Sequence, residues 1–148
     1  MRLTAYSDYT LRTLMYLGLS AERHATIAEI AAAYGISEAH LMKVVHQLGV
    51  SGNVVTVRGR KGGLRLNKPP AAINLGSIVR RTEADMALVP CFETDDICPI
   101  GGCCVLSEVL YEALEAFLAV LDRYTLADLL VPRLRLASLL NLSDVITP

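Results

Sequence analysis

Residues 26–48 read TIAEIAAAYGISEAHLMKVVHQL, and this stretch predicts the fold. Thr26 followed three residues later by Glu29 is a capping box, which opens a helix. The motif Tyr34-Gly35-Ile36 turns the chain, and Ser37 is a suitable N-cap for a second helix. Two short helices joined by a tight glycine turn predict a helix-turn-helix unit.

The flanking residues extend this unit on both sides. Apolar residues at helical spacing predict a helix from Ser7 to about Ser20 on the N-terminal side. On the C-terminal side, residues 54–57 and 64–66 alternate as two short strands. The hairpin tip between them carries Arg58, Arg60 and Lys61 among three glycines, which suits a phosphate backbone or a minor groove. The order of these elements is the winged-helix plan.

The rest of the chain predicts a short helix, a loop and a long helix. We expect a mainly α protein with a winged helix-turn-helix DNA-binding domain and a long C-terminal dimerisation helix. The predicted division is residues 1–70 for the DNA-binding domain, 71–90 for a connecting helix, 91–104 for a cysteine loop, 105–131 for the dimerisation helix with a short following helix, and 132–148 for a peripheral tail.

An apolar stripe supports the dimerisation helix. It has a spacing near 3.5 residues, which is typical of a helix that pairs with its own copy. Its members are Leu106, Leu110, Leu114, Phe117, Leu118 and Leu121.

Composition and charge narrow the function classes. Residues 1–70 carry nine Lys/Arg and four Asp/Glu, a net charge of +5, whereas residues 71–148 carry five and eleven, a net charge of −6. A basic half joined to an acidic half is typical of a nucleic-acid reader with a regulatory part.

No apolar run reaches the ~20 residues that span a membrane and no signal peptide opens the chain, so we expect a cytoplasmic protein. No Ser/His/Asp or paired-carboxylate arrangement points to an enzyme.

All four cysteines lie between Cys91 and Cys104, with Cys98 and Cys103 between them. In a reducing compartment, clustered thiols favour metal or redox work over disulfides. Three thiolates and a fourth ligand from elsewhere could hold an iron–sulfur cluster, and zinc is the main competitor. Structural zinc usually shows Cys-x₂₋₄-Cys pairs, whereas the gaps here are six and four or five residues. The spacing therefore favours iron–sulfur modestly and leaves zinc open.

Together these motifs resemble the iron–sulfur winged-helix repressors of bacteria, and among them the nitric-oxide-sensing repressors. The resemblance rests on residues 1–9, the helix-turn-helix, the wing Val57–Leu64 and the cysteine loop. It implies a homodimer that binds double-stranded DNA at a palindromic operator, a [4Fe–4S] cluster, and derepression of nitric-oxide detoxification genes by nitric oxide.

The resemblance also implies a ligand set. Cys91, Cys98 and Cys104 match the family's cysteine ligands, and Cys103 matches none. The fourth ligand would be Asp8 of the partner subunit. A sister class that holds a [2Fe–2S] cluster uses a histidine three residues after its last cysteine, where this chain has Ser107. The missing histidine argues against the [2Fe–2S] form, which stays the alternative cofactor.

Further residues are expected near the metal ligands and at the DNA-binding surface. Arg12 lies one helical turn after Asp8 and could pair with Asp8 or with Glu83. The DNA-contacting residues are predicted at the exposed start of the second helix of the motif and in the wing. They are Ser37, Glu38, His40, Lys43, Arg58, Arg60 and Lys61.

Two other functions compete with a nitric-oxide sensor. One is a regulator on the same scaffold that responds to iron or to cluster status. The other is a small redox or metal-transfer protein in which the cysteines of the loop carry out catalytic turnover and the basic half has no function in DNA binding.

Overall fold

The structure is a computed structural model that describes residues 2–21, 23–59, 62–92, 99–100 and 103–142. Over these residues the chain is mainly helical with one two-stranded antiparallel sheet. The helices and strands, in chain order, are α1 Ala5–Leu19, α2 Ile27–Tyr34, α3 Glu38–Val50, β1 Val54–Val57, β2 Gly63–Leu66, α4 Leu75–Thr82, α5 Val105–Asp122, α6 Leu126–Leu129 and α7 Arg133–Leu139.

The helix-turn-helix forms as the local sequence predicts. The Thr26 hydroxyl accepts a hydrogen bond from the Glu29 amide at 3.1 Å, and the Thr26 amide donates to the Glu29 carboxylate at 2.6 Å. Gly35 ends α2 in the left-handed conformation, with φ of 65°. Ser37 then caps α3, its hydroxyl accepting from the His40 amide at 3.3 Å. The caps and the turn glycine together set the angle between α2 and α3.

The wing is pinned to the chain that leads into α2. β1 and β2 pair from Val54 with Leu66 to Val57 with Gly63. Ala25 adds a bridge to β2, because its amide and carbonyl exchange hydrogen bonds with Leu64 at 3.0 and 2.7 Å. A Cβ on Gly63 would meet the Ala25 carbonyl at 2.7 Å, so this approach needs glycine. The winged-helix prediction is confirmed.

The first helix starts earlier than predicted. Thr4 is its N-cap and accepts from the Ser7 amide at 3.2 Å, so α1 begins at Ala5 rather than at Ser7. Asp8 lies in the first turn, as expected. The missed signal was Thr4, whose hydroxyl can accept from the amide three residues later, because the first amides of a helix have no carbonyl partner within it.

The prediction of a peripheral tail is wrong for residues 133–142. Ala137 is fully buried and Leu142 is 3% exposed, both in the main core with α1, α2 and α3. The Arg133 guanidinium donates to the Leu19 carbonyl at 3.0 Å and so satisfies the C-terminal end of α1. Leu126 of α6 is fully buried in the same core. The C-terminal elements therefore pack on the first helix of the winged-helix part.

The long helix α5 uses only part of its predicted stripe inside the chain. Leu114 and Leu118 are buried, and α5 packs on α4. The last turn of α5 is joined to α4 by a bidentate pair between Arg80 and Asp122, with N–O distances of 2.6 and 2.7 Å. Leu106, by contrast, is 63% exposed. Most of α5 therefore faces outward, and no helix among the described residues is long and apolar enough to cross a membrane.

Candidate metal centre and DNA-binding surface

The two described thiols of the predicted ligand set lie at the two ends of the cysteine loop. Cys91 lies in a short 3₁₀ turn, Pro90–Phe92, and Cys104 is the residue before α5; both are half-buried. Cys98 falls outside the described residues. Cys103 is exposed, with its thiol 3.7 Å from the Ile100 carbonyl oxygen. The neighbours Cys103 and Cys104 thus differ in exposure.

An open groove of about 700 Å³ runs between the segment before Cys91 and the first turns of α5. Cys91 and Ser107 line it, and Phe92 meets Tyr111 edge-on with ring centroids 6.0 Å apart. Ser107 is the position at which the sister class would place a histidine ligand. Cys91 is the one described cysteine that lines the groove, and a soft sulfur donor beside a roomy, partly apolar groove suits an iron–sulfur cluster in donor chemistry. Within the described residues, no three His, Cys, Asp or Glu side chains form a metal-binding group, and Cys98 is not among those residues.

Asp8 is available on the surface of α1. Its side chain is 45% exposed, and its carboxylate accepts a hydrogen bond from Arg12 Nε at 2.9 Å. The Arg12 guanidinium also lies over the ring of Tyr34, 5.7 Å from its centroid. Tyr34 is the last residue of α2, and burial raises its pKa to about 12. Of the two predicted partners for Arg12, the structure shows Asp8, and Arg12 connects it to the turn of the helix-turn-helix.

Glu83 has a different partner from the one considered from sequence. It accepts hydrogen bonds from the Thr4 amide at 2.8 Å, the Thr4 hydroxyl at 3.1 Å and the buried Ser7 hydroxyl. Burial alone would raise the pKa of Glu83, but the hydrogen bonds from Ser7 and Thr4 outweigh it and lower that pKa. Glu83 therefore fastens the C-terminal end of α4 to the N-terminal end of α1.

The predicted DNA-contacting residues of α3 are all exposed, but they do not share one face. Ser37 caps the helix, and the His40 ring lies beside the ring of Tyr9, with centroids 6.1 Å apart. Lys43 points away from the core. In the wing, Arg58 is exposed, whereas Arg60 and Lys61 fall outside the described residues.

Sequence reasoning missed part of the outward face of α3. The buried side of the helix is formed by Leu41, Val44, Val45 and Leu48. The exposed residues opposite that side include Lys43 and also Ala39, Met42 and His46. The apolar spacing alone would have located this face, because residues three and four apart lie on one side of a helix.

A winged helix with a cysteine-bearing segment is the architecture of a known regulator family. The family model named Rrf2 and described as an iron-dependent transcriptional regulator matches residues 3–132. The chain belongs to the Rrf2 family. Rrf2 proteins are transcriptional regulators, so the chain is a DNA-binding regulator and not an enzyme, as the sequence predicted.

Individual relatives agree with the Rrf2 assignment. The chain is 52% identical to the HTH-type transcriptional regulator NsrR of Geobacillus kaustophilus over 95% of this chain and 97% of that protein. It is 47% identical to NsrR of Bacillus subtilis over 97% of this chain and 100% of that protein. Among solved structures, IscR of T. potens matches with a TM-score of 0.72 and 26% identity over 88% of this chain and 86% of that one.

Proposed function

We propose that the chain is a homodimeric repressor that holds a [4Fe–4S] cluster and releases its operator when nitric oxide is present in the cytoplasm. One observation carries the proposal. Two half-buried thiols flank the loop, Cys91 on the groove and Cys104 directly before α5, in an Rrf2 chain with NsrR-named relatives. Repression, cluster and signal are parts of this proposal.

The proposed ligands are Cys91, Cys98, Cys104 and Asp8 of the partner subunit. A bound cluster would supply iron that reacts with nitric oxide. A carboxylate is a harder and weaker ligand for such iron than a thiolate, so the Asp8 position is the easiest to displace. The 45% exposure of the Asp8 side chain supports a role toward a second subunit.

The outward face of α5 supports the homodimer. Exposed Leu106, Val109, Ala113, Ala116 and Val120 recur every three and four residues. This is the spacing of a helix seam, and the small alanines at its centre permit close approach. Pairing along this face would place two reading heads on one palindromic operator, with half-sites about one helical turn apart.

Contacts around α1 support a route from the site to the DNA. A ligand bond from Asp8 would draw charge from the carboxylate that Arg12 now binds and would weaken that pair. Arg12 also contacts Tyr34, which adjoins the Gly35 turn between α2 and α3. Release of Asp8 would therefore alter contacts at the point that sets the angle of α3.

Cysteine variants test the cluster. Anaerobic purification followed by iron and sulfide determination should give loaded protein for the wild type and for Cys103→Ser. Cys91→Ser, Cys98→Ser and Cys104→Ser should each lose most of both elements. Zinc without sulfide in the wild type would contradict the proposal, and so would equal losses in all four variants.

A mixed dimer tests whether Asp8 acts across the interface. One subunit carries Asp8→Ala and the other carries Cys104→Ser, each with its own purification tag. If Asp8 serves the partner's cysteines, this dimer keeps one complete site and shows half of the wild-type cluster spectrum. If Asp8 serves its own chain, neither site is complete and the spectrum matches that of the variants alone.

The second candidate is a regulator of iron or cluster status with a [2Fe–2S] or [4Fe–4S] cluster. The description of the Rrf2 family as iron-dependent favours it. Such a regulator would change its operator affinity on cluster loading and would respond to iron limitation at least as strongly as to nitric oxide.

A further inference from the structure

The outward face of α3 carries an exposed methionine among polar groups. Met42 is 54% exposed and has Lys43 beside it. Ala39 lies one turn before Met42 and His46 one turn after it, and both are exposed. This face lies opposite the buried side of α3, the second helix of the helix-turn-helix, so it is free to enter a DNA groove.

The chemistry of this face matches one base better than the others. In the major groove, thymine presents a C5-methyl group next to the O4 acceptor. The Met42 side chain is flexible, polarizable and apolar, and the adjacent Lys43 ammonium is a donor. Cytosine lacks the methyl group and presents an amino donor, which opposes a lysine. Guanine and adenine present acceptors that could meet Lys43, but neither has a methyl group for Met42 to pack on.

Charge favours DNA as the partner of this apolar side chain. The first 70 residues have a net charge of +5, and exposed Arg58 of the wing lies in the same winged-helix part. A phosphate backbone would be drawn to this part of the molecule and would bring the groove to α3.

We propose that Met42 is a specificity-determining residue that packs on the C5-methyl group of a thymine in each half-site, with Lys43 facing the acceptor edge beside it. This inference rests on the proposed function, because it requires a defined operator. It adds the base that the recognition helix prefers.

The test removes the methyl group from the DNA rather than the side chain from the protein. The preferred operator is first selected from random duplexes with the anaerobically loaded protein. Each thymine preferred in the half-sites is then replaced by deoxyuridine, and dissociation constants are measured at one salt concentration. Loss of one buried methyl contact lowers affinity about fourfold for each half-site.

A matched pair of variants completes the test. Met42→Ala should bind the thymine and deoxyuridine operators equally, whereas Val50→Ala should discriminate as the wild type does. Val50 is also exposed on α3 (72%), but it is the last residue of the helix. The proposal is overturned if no thymine is preferred in the half-sites, if the wild type binds both operators equally, or if Met42→Ala still discriminates. Failure of the proposed function looks different, because then no operator is selected or the selected operator is held regardless of nitric oxide.

Discussion

Removing the carboxylate of Glu83 should loosen the joint between α4 and α1. One carboxylate oxygen of Glu83 accepts hydrogen bonds from the Thr4 amide and from the Thr4 and Ser7 hydroxyls. Hydrogen bonds to a charged group contribute about 1.5–3 kcal/mol when shielded, and solvent screening reduces that contribution at a partly exposed site. We therefore expect Glu83→Ala to lower the free energy of unfolding by about 1–2 kcal/mol. For a chain of this size the melting temperature should fall by about 3–6 °C.

The pH dependence of this loss follows from the lowered pKa of Glu83. A carboxyl whose pKa is lower in the folded state stabilises the fold above its ordinary value of 4.5. That stabilisation disappears as pH falls through the folded-state pKa. The difference in melting temperature between wild type and Glu83→Ala should therefore be complete at pH 7 and should shrink as pH falls below 4.5.

The assay is thermal unfolding of the metal-free protein, followed by circular dichroism across a pH series. Glu112→Ala is the matched control, because Glu112 is an exposed glutamate on α5. The control should melt within about 1 °C of the wild type. An unchanged melting temperature for Glu83→Ala at pH 7, or a difference that does not shrink as pH falls below 4.5, would contradict this role of Glu83.

Three further substitutions test the fold and the surroundings of the site. Leu126→Ala removes a fully buried side chain and should lower the free energy of unfolding by about 2–5 kcal/mol in a single transition. The control Leu134→Ala removes an exposed side chain and should change that free energy by less than about 0.5 kcal/mol. Two separate transitions would show that α6 does not share the core. Gly76→Ala should lower the free energy of unfolding, because its Cβ would lie 2.0 Å from the Asp122 carboxylate. The same substitution should cost less stability in an Asp122→Ala background. Equal losses in both backgrounds would exclude the contact. Arg12→Met removes both the ion pair with Asp8 and the contact with the Tyr34 ring, so we expect a loss of about 0.5–1 kcal/mol that shrinks in high salt, measured by urea unfolding.

The parts of the fold that were predictable from sequence are those that local chemistry sets. The capping box at Thr26, the left-handed turn at Gly35 and the N-cap at Ser37 each act within four residues. Their consequence, the helix-turn-helix, is therefore written in a short stretch. The pairing of Asp8 with Arg12 was predictable for the same reason, because residues four apart adjoin on a helix.

The parts that were missed depend on contacts between distant residues. Glu83 bonds to Thr4 across 79 positions of sequence, and no local pattern specifies that contact. The tail was wrongly predicted to be peripheral. The burial of Ala137 and Leu142 depends on the packing of α7 on the core, which no local sequence pattern specifies. The outer face of α5 was misjudged in part, because Leu114 and Leu118 are buried within the chain.

In the proposed function, nitric oxide controls DNA affinity through the cysteine site of this chain. The most direct measurement is the operator dissociation constant of anaerobically loaded protein at fixed salt, before and after stoichiometric nitric oxide. Cluster-free Cys104→Ser is measured in parallel. We predict tight binding that weakens at least tenfold with nitric oxide, and weak binding by Cys104→Ser that nitric oxide does not change. If the operator affinity of the loaded protein does not change with nitric oxide, this chain is not a nitric-oxide-responsive repressor.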